Sequence, residues 1–160
     1  MRKIIGICAA ASAAVLLTFA VAVAMVAVES KKLDLESRQY AESAILAVVS
    51  KWDASALMSR SSEQLGASVQ GADEVRSVFS GFRILGRLKH YAGCYGSTSF
   101  LVEGDGKALV MAEYSARAQF QNGTAEIRIT LIRVRDSWKI LRFAVSPIGG
   151  VDHPRPNHVA

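Results

Sequence analysis

The sequence predicts an α+β domain: one or two helices packed on a curved antiparallel sheet of about four strands, behind an N-terminal transmembrane helix. Three observations predict it. Residues 4–28, with Ile4 at one end and Val28 at the other, carry no charge. Between Ala41 and Trp52 apolar residues recur at three- and four-residue steps, the period of a helix with one buried face. Beyond Lys107, alternating polar and apolar runs are separated by Asn122-Gly123 and by Arg135-Asp136-Ser137, the turn chemistry of consecutive hairpins. The implied organisation is an anchor or signal peptide over 1–30, an α+β domain over 35–147 and a tail over 148–160.

At about 1.5 Å per residue, 4–28 is long enough to span a bilayer core with some tilt. Arg2 and Lys3 before it place the N-terminus in the cytoplasm, while Lys31 and Lys32 beyond it weaken the asymmetry. The alternative is a cleaved secretory signal, for which Ala20-Val21-Ala22 and Ala22-Val23-Ala24 are acceptable small-residue sites. Either way the domain lies outside the cytoplasm, on the periplasmic or extracytoplasmic side: a single-pass inner-membrane protein in the first case, a secreted one in the second.

A chain of 160 residues with net charge +5 holds one ordinary domain behind such a lead, and the excess is too small to argue for nucleic acid. Cys8 lies in the apolar lead and Cys94 stands alone in the domain, so no disulfide forms within the domain and no zinc spacing exists. An unpaired Cys94 in an oxidising compartment is expected to be buried.

In chain order, the first helix buries Ala41, Ala44, Ile45, Val48, Val49 and Trp52. Residues 53–65 form a loop or short helix. Asp73 and Glu74 then occupy the first turn of a second helix, where carboxylates suit the dipole. Its buried stripe is Val75, Val78, Phe79, Phe82 and Leu85, and Gly86 ends it. A first long strand follows over 90–100, interrupted near Gly93 and Gly96. The turn at 104–107 leads back into the strand that starts at Ala108.

Asn122-Gly123 is the strongest short hairpin signal, because a type I′ turn needs positive φ at both central residues. As a two-residue loop it pairs Phe120 with Ala125, Ala118 with Ile127, Ala116 with Ile129 and Tyr114 with Leu131 on an apolar face. Arg117 then meets Arg128 on the polar one. At the next turn, a two-residue loop of Asp136-Ser137 would place Arg142 opposite Leu131 on the apolar face, a costly position for a charge. A three-residue loop instead pairs Leu131 with Leu141, Ile129 with Phe143 and Ile127 with Val145. The second face then carries Arg117, Arg128 and Arg142 at one end, and Met111, Ile132, Val134, Trp138 and Ile140 at the other. Such a face is either solvated or a contact surface.

No nucleophile elbow, phosphate loop or dinucleotide fingerprint is present. His153 and His158 lie in the tail without a third ligand nearby, and neither a metal site nor a cofactor is implied. Polar residues that could converge inside are Tyr40, Asp53, His90, Tyr91 and Tyr114. Asp53 with His90 could form an acid–base pair, but Asp53 also fits a cap after Trp52 and His90 fits a strand-edge residue. No catalytic residue is assigned.

Three segments carry a family likeness: the helix over 44–52 ending in Lys51-Trp52-Asp53; Val78-Phe79-Ser80-Gly81-Phe82 running to Leu85-Gly86; and Asp136-Ser137-Trp138-Lys139-Ile140-Leu141-Arg142-Phe143. Over 35–147 the chain resembles the nuclear-transport-factor-2-like superfamily with its cystatin-like sheet, in its small membrane-anchored or secreted bacterial members of unknown role. The resemblance implies helices covering a long curved meander. Some members are enzymes with Asp, His or Tyr in a conical pocket. Others, such as periplasmic domains of VirB-type secretion components, are anchored by one helix and serve as assembly modules. Members often dimerise through the outer sheet face, here the one bearing Met111, Ile132, Val134, Trp138 and Ile140. The expected function is therefore non-enzymatic association, with itself or an envelope protein, through that face. The alternative is small-molecule binding, less readily catalysis, in a cavity between the first helix and Tyr114.

Overall fold

The computed structural model describes residues 30–69, 71–102 and 108–149. The expected anchor at 4–28, the turn at 104–107 and the tail with His153 and His158 lie outside them. Among the described residues no helix is long and apolar enough to cross a membrane. The chain divides into two compact units, Met1–Leu35 and Glu36–Ala160, and the second is an α+β unit with a four-stranded antiparallel sheet.

Helix α1 covers residues 30–49. Its face of Ser37, Ala41, Ala44, Ile45, Val48 and Val49 is buried, as the apolar spacing predicts. The helix ends where Trp52 takes a φ of 51° and the Asp53 amide donates to Val48 O at 2.9 Å, the bond of a Schellman cap. A left-handed tryptophan costs about 1–2 kcal/mol. Its ring offsets that cost by stacking on Phe82 and Phe120, each at 5.3 Å, and meeting the edge of Phe79 at 5.9 Å.

Asp53 then caps α2 (Ala54–Met58), its carboxylate accepting from the amides of Ser55 at 2.8 Å and Ala56 at 3.1 Å. Ser62 caps α3 (Glu63–Ser68) in the same way through the Leu65 amide. Two short capped helices thus occupy the stretch expected as a loop or a short helix. Helix α4 (Ala72–Phe82) has Asp73 and Glu74 in its first turn and runs into a 3₁₀ turn, Arg83–Leu85, ended by Gly86 at φ 76°. Val75, Phe79 and Leu85 are buried as expected, but Val78 is 56% exposed.

The strands β1 (Leu88–Val102), β2 (Ala108–Phe120), β3 (Gly123–Val134) and β4 (Ser137–Ile148) form a meander in chain order. In β1 the ladder shifts between Tyr91 and Cys94, where Gly93 has φ 86°, so the expected interruption falls there. Gly96 stays in register opposite Tyr114, but a Cβ there would collide with the Glu113 carbonyl.

The first hairpin differs from the sequence expectation by two residues. Phe120 pairs with Gly123, Ala118 with Ala125, Ala116 with Ile127 and Tyr114 with Ile129, so the loop is Gln121-Asn122. Neither Asn122 nor Gly123 has positive φ. A tertiary constraint displaces the type I′ turn: Asn122 donates its amide to Leu85 O and its Nδ2 to Ile84 O, both at 2.9 Å, and the Gln121 amide donates to Arg87 O. A shift of two preserves faces but changes partners. Arg117 meets Glu126 rather than Arg128, and Arg128 binds Glu126 through Nε at 3.1 Å, so the expected like-charge pair does not exist.

In the second hairpin Ile129 pairs with Phe143 and Ile127 with Val145, as expected, and Thr130 faces Arg142. The loop, however, is the two residues Arg135-Asp136, with Arg135 at φ 47°, and the odd residue is taken up by a bulge. Leu131 pairs with Ile140, Arg133 with Trp138 and Val134 with Ser137, leaving Leu141 out of the ladder. Beyond the bulge β4 changes sides. Trp138 and Ile140 therefore share the inner face with Ala125, Ile127, Ile129 and Leu131, and both are buried. This corrects the expectation that they stand on the outer face, and the pair Leu131–Leu141 with it. The outer edge of β4 is met by the segment before α3, with the Ile140 amide donating to Arg60 O and the Ser62 amide to Ile140 O, both at 2.8 Å.

Trp138 is therefore a core residue. Trp138→Ala is expected to lower unfolding stability by about 3 kcal/mol in chemical denaturation of the whole chain, the usual range for truncating a buried tryptophan. An exposed contact residue would give a change within about 0.5 kcal/mol.

Candidate functional site

The five inward polar candidates do not converge. Tyr114 is buried, and its hydroxyl lies 2.8 Å from Ser37 Oγ, which also lies 3.1 Å from Thr98 Oγ1. With Ala112, Ala116 and Ala118 fully buried beside it, the place expected for a pocket between α1 and Tyr114 is taken up by a hydrogen-bonded contact. Tyr40 donates to Arg60 O at 3.5 Å, and burial raises its pKa against the opposing effect of Arg60. Asp53 uses its carboxylate to cap α2. His90 is exposed on β1, opposite Gln119. Asp53 and His90 form no hydrogen bond or ion pair with each other, so the acid–base pair that their residue types allow is not assembled.

The outer sheet face keeps an apolar end, with altered membership. Met111 pairs with Ile132, and Ile132 with Lys139. Ile132 is buried, Met111 is half-buried and Val134 is 42% exposed. Leu101, 50% exposed, and its partner Leu109 lie on this same face. Sequence reasoning missed both, although stepping back by two from Met111 gives Leu109. Val134 also borders a polar cleft of about 600 Å³, whose walls include Ser62, Glu63, Arg135 and Lys139. Arg117, Arg128 and Arg142 stand on the outer face toward its other end, where Glu126 balances Arg128. An apolar centre beside a polar margin is the anatomy of a protein contact surface.

A second cluster, which the sequence did not single out, joins α1 to the β1 bulge. The Cys94 thiol is buried, 3.9 Å from Glu42 Oε1 and 4.0 Å from Arg38 O. Burial first, then the Glu42 carboxylate, push its pKa up, with the Tyr91 hydroxyl and Arg38 opposing. Burial also raises the Tyr91 phenol, helped by Cys94 and Glu42. Burial, the largest effect on both groups, disfavours their anions. Among the described residues no group of His, Cys, Asp and Glu side chains could hold a metal ion. At pH 8, alkylation of Cys94 by iodoacetamide, followed by peptide mass spectrometry, is expected to be much slower in the native chain than in the unfolded one. The gap should narrow as pH rises and the thiolate fraction grows. Equal rates would show an accessible, ordinary thiol.

Compared with protein-family models, curated proteins and solved structures, the chain matches none of them.

Proposed function

We propose that this chain is a non-enzymatic envelope protein whose α+β domain associates with a second copy or with an envelope partner through the apolar end of its outer sheet face. The observation that carries this reading is the half-exposure of Leu101 and Val134 on the face turned away from the core, beside Leu109 and Met111. Isolated exposed apolar residues are ordinary, whereas a group on one strand face with a polar margin is what an interface uses. The polar side chains that could have served catalysis are occupied in structure: Asp53 as a cap, Tyr114 against Ser37, Cys94 as a buried thiol. The charge-free run at 4–28 supports a single-pass anchor that holds the domain on the extracytoplasmic side, or a signal cleaved on secretion. The order of helices followed by a four-stranded meander is in keeping with the nuclear-transport-factor-2-like resemblance, whose members often dimerise through this sheet face. That fold likeness alone would not license a function.

In detergent, the whole chain is expected to associate in a concentration-dependent way by light scattering. Leu101→Arg or Val134→Glu should weaken association at least about tenfold, equivalent to about 1.4 kcal/mol, with the unfolding midpoint little changed. A strict monomer that crosslinks to no partner in membranes would contradict the reading.

A further inference from the structure

The sheet has two edge strands, β1 and β4, and they are finished in opposite ways. An edge strand offers a row of backbone N–H and C=O groups to any other strand, and natural edges are blunted by Lys, Pro, bulges or covering segments. β4 carries Lys139, Arg142 and Pro147, and the Arg60 and Ser62 backbone meets it at Ile140. β1 has such devices only in its first half, with Lys89 near its start and the bulge between Tyr91 and Cys94. From Tyr95 to Val102 it runs in unbroken register with β2, over a stretch that holds no charged residue and no proline. Among the described residues no strand pairs with the other side of this window. Tyr95 is 65% exposed, Phe100 58% and Leu101 50%.

We infer that this window pairs antiparallel with the same window of a second copy, joining two four-stranded sheets into one continuous sheet. The occupant follows from charge and symmetry. A self-pair about a two-fold axis sets the strand against its own reversed copy, so a charge near its middle would meet a like charge. The window has none, which suits a second copy, whereas a charged partner strand would call for complementary charges here. Directly opposed residues share a face of the sheet, so the axis at the centre of the window passes at Thr98 or at Ser99. The Thr98 register packs better. Phe100 then lies across from Gly96, which has no side chain to meet the ring, and Leu101 lies across from Tyr95. Arg38 reaches Gly96 O at 3.5 Å, and in this register the two Arg38 side chains stand at opposite ends of the pairing. Edge pairing is a backbone contact along the sheet, distinct from the outer-face association proposed above, and it does not depend on that association.

Amide hydrogen exchange of the whole chain in detergent, followed by NMR at rising protein concentration, separates the two contacts. Edge pairing is expected to slow alternate amides between Tyr95 and Leu101 by at least about tenfold, since only every second residue of a strand turns its N–H to the edge. Ser97→Lys combined with Ser99→Lys, both at exposed positions, sets like charges across the axis. That variant should abolish the slowing with the unfolding midpoint little changed, while Val134→Glu, which disrupts the outer face, should leave it in place. Association without protection of these amides would overturn edge pairing and leave the outer-face reading standing. Protection that persists in the double lysine variant would overturn it too. Protection independent of protein concentration would mean that another segment or another protein covers the edge, and would overturn the second copy as occupant. A strict monomer would overturn both contacts.

Discussion

Leu141 has no partner across the ladder, since Thr130 faces Arg142 and Leu131 faces Ile140. This single unpaired residue decides which side of the sheet the end of β4 presents. Side chains alternate along a strand, so one inserted residue exchanges the faces of everything beyond it. Trp138 and Ile140 thereby join the core, each contributing roughly 1.5–3 kcal/mol of apolar burial. The same turn of the strand leaves the Ile140 backbone free to meet Arg60 and Ser62, which anchors the start of α3 to the sheet. With α3 placed, and α2 before it held by the Asp53 cap, the helices border an open apolar groove over Phe143.

Behind this edge the core leaves little room. Three fully buried alanines of β2 let α1 approach closely, and Ser37 meets the Tyr114 hydroxyl across that contact. Buried polar groups of this kind specify one packing arrangement because misplacing them leaves donors unsatisfied. The left-handed Trp52 holds the other end of α1 against Phe79, Phe82 and Phe120. Two residues that looked chemical are taken up by architecture in this way: Asp53 caps α2 and the Tyr114 hydroxyl meets Ser37.

Much of the fold was legible in the sequence because it rests on period. The helical stripe of α1, the alternation in β2 and β3, the acidic first turn of α4 and the interruption near Gly93 all follow from local spacing. The pairing of Ile129 with Phe143 was also legible, though reached through a three-residue loop where the structure uses a two-residue loop and a bulge. What escaped depends on distant partners. Asn122-Gly123 carries the chemistry of a type I′ turn, yet Ile84, Leu85 and Arg87 hold Gln121 and Asn122 as the loop, and Leu85 Cδ2 would stand 3.2 Å from any Cβ on residue 123. The bulge at Leu141 has no glycine or proline to announce it. For the site, Met111, Ile132 and Val134 were readable from alternation, while Leu101 and Leu109 needed the β1–β2 register.

The side to which β4 is switched sets where Trp138 and α3 lie, and amide hydrogen exchange across the whole chain tests it most directly. If Ile140 donates to Arg60 and Ser62 donates to Ile140, both amides should exchange as slowly as the paired amides of β3, opening only with the sheet. Exchange of Ile140 and Ser62 at the rate of unprotected amides would mean that the segment before α3 does not meet β4. It would contradict both the inward placement of Trp138 and the anchoring of α3 to the sheet.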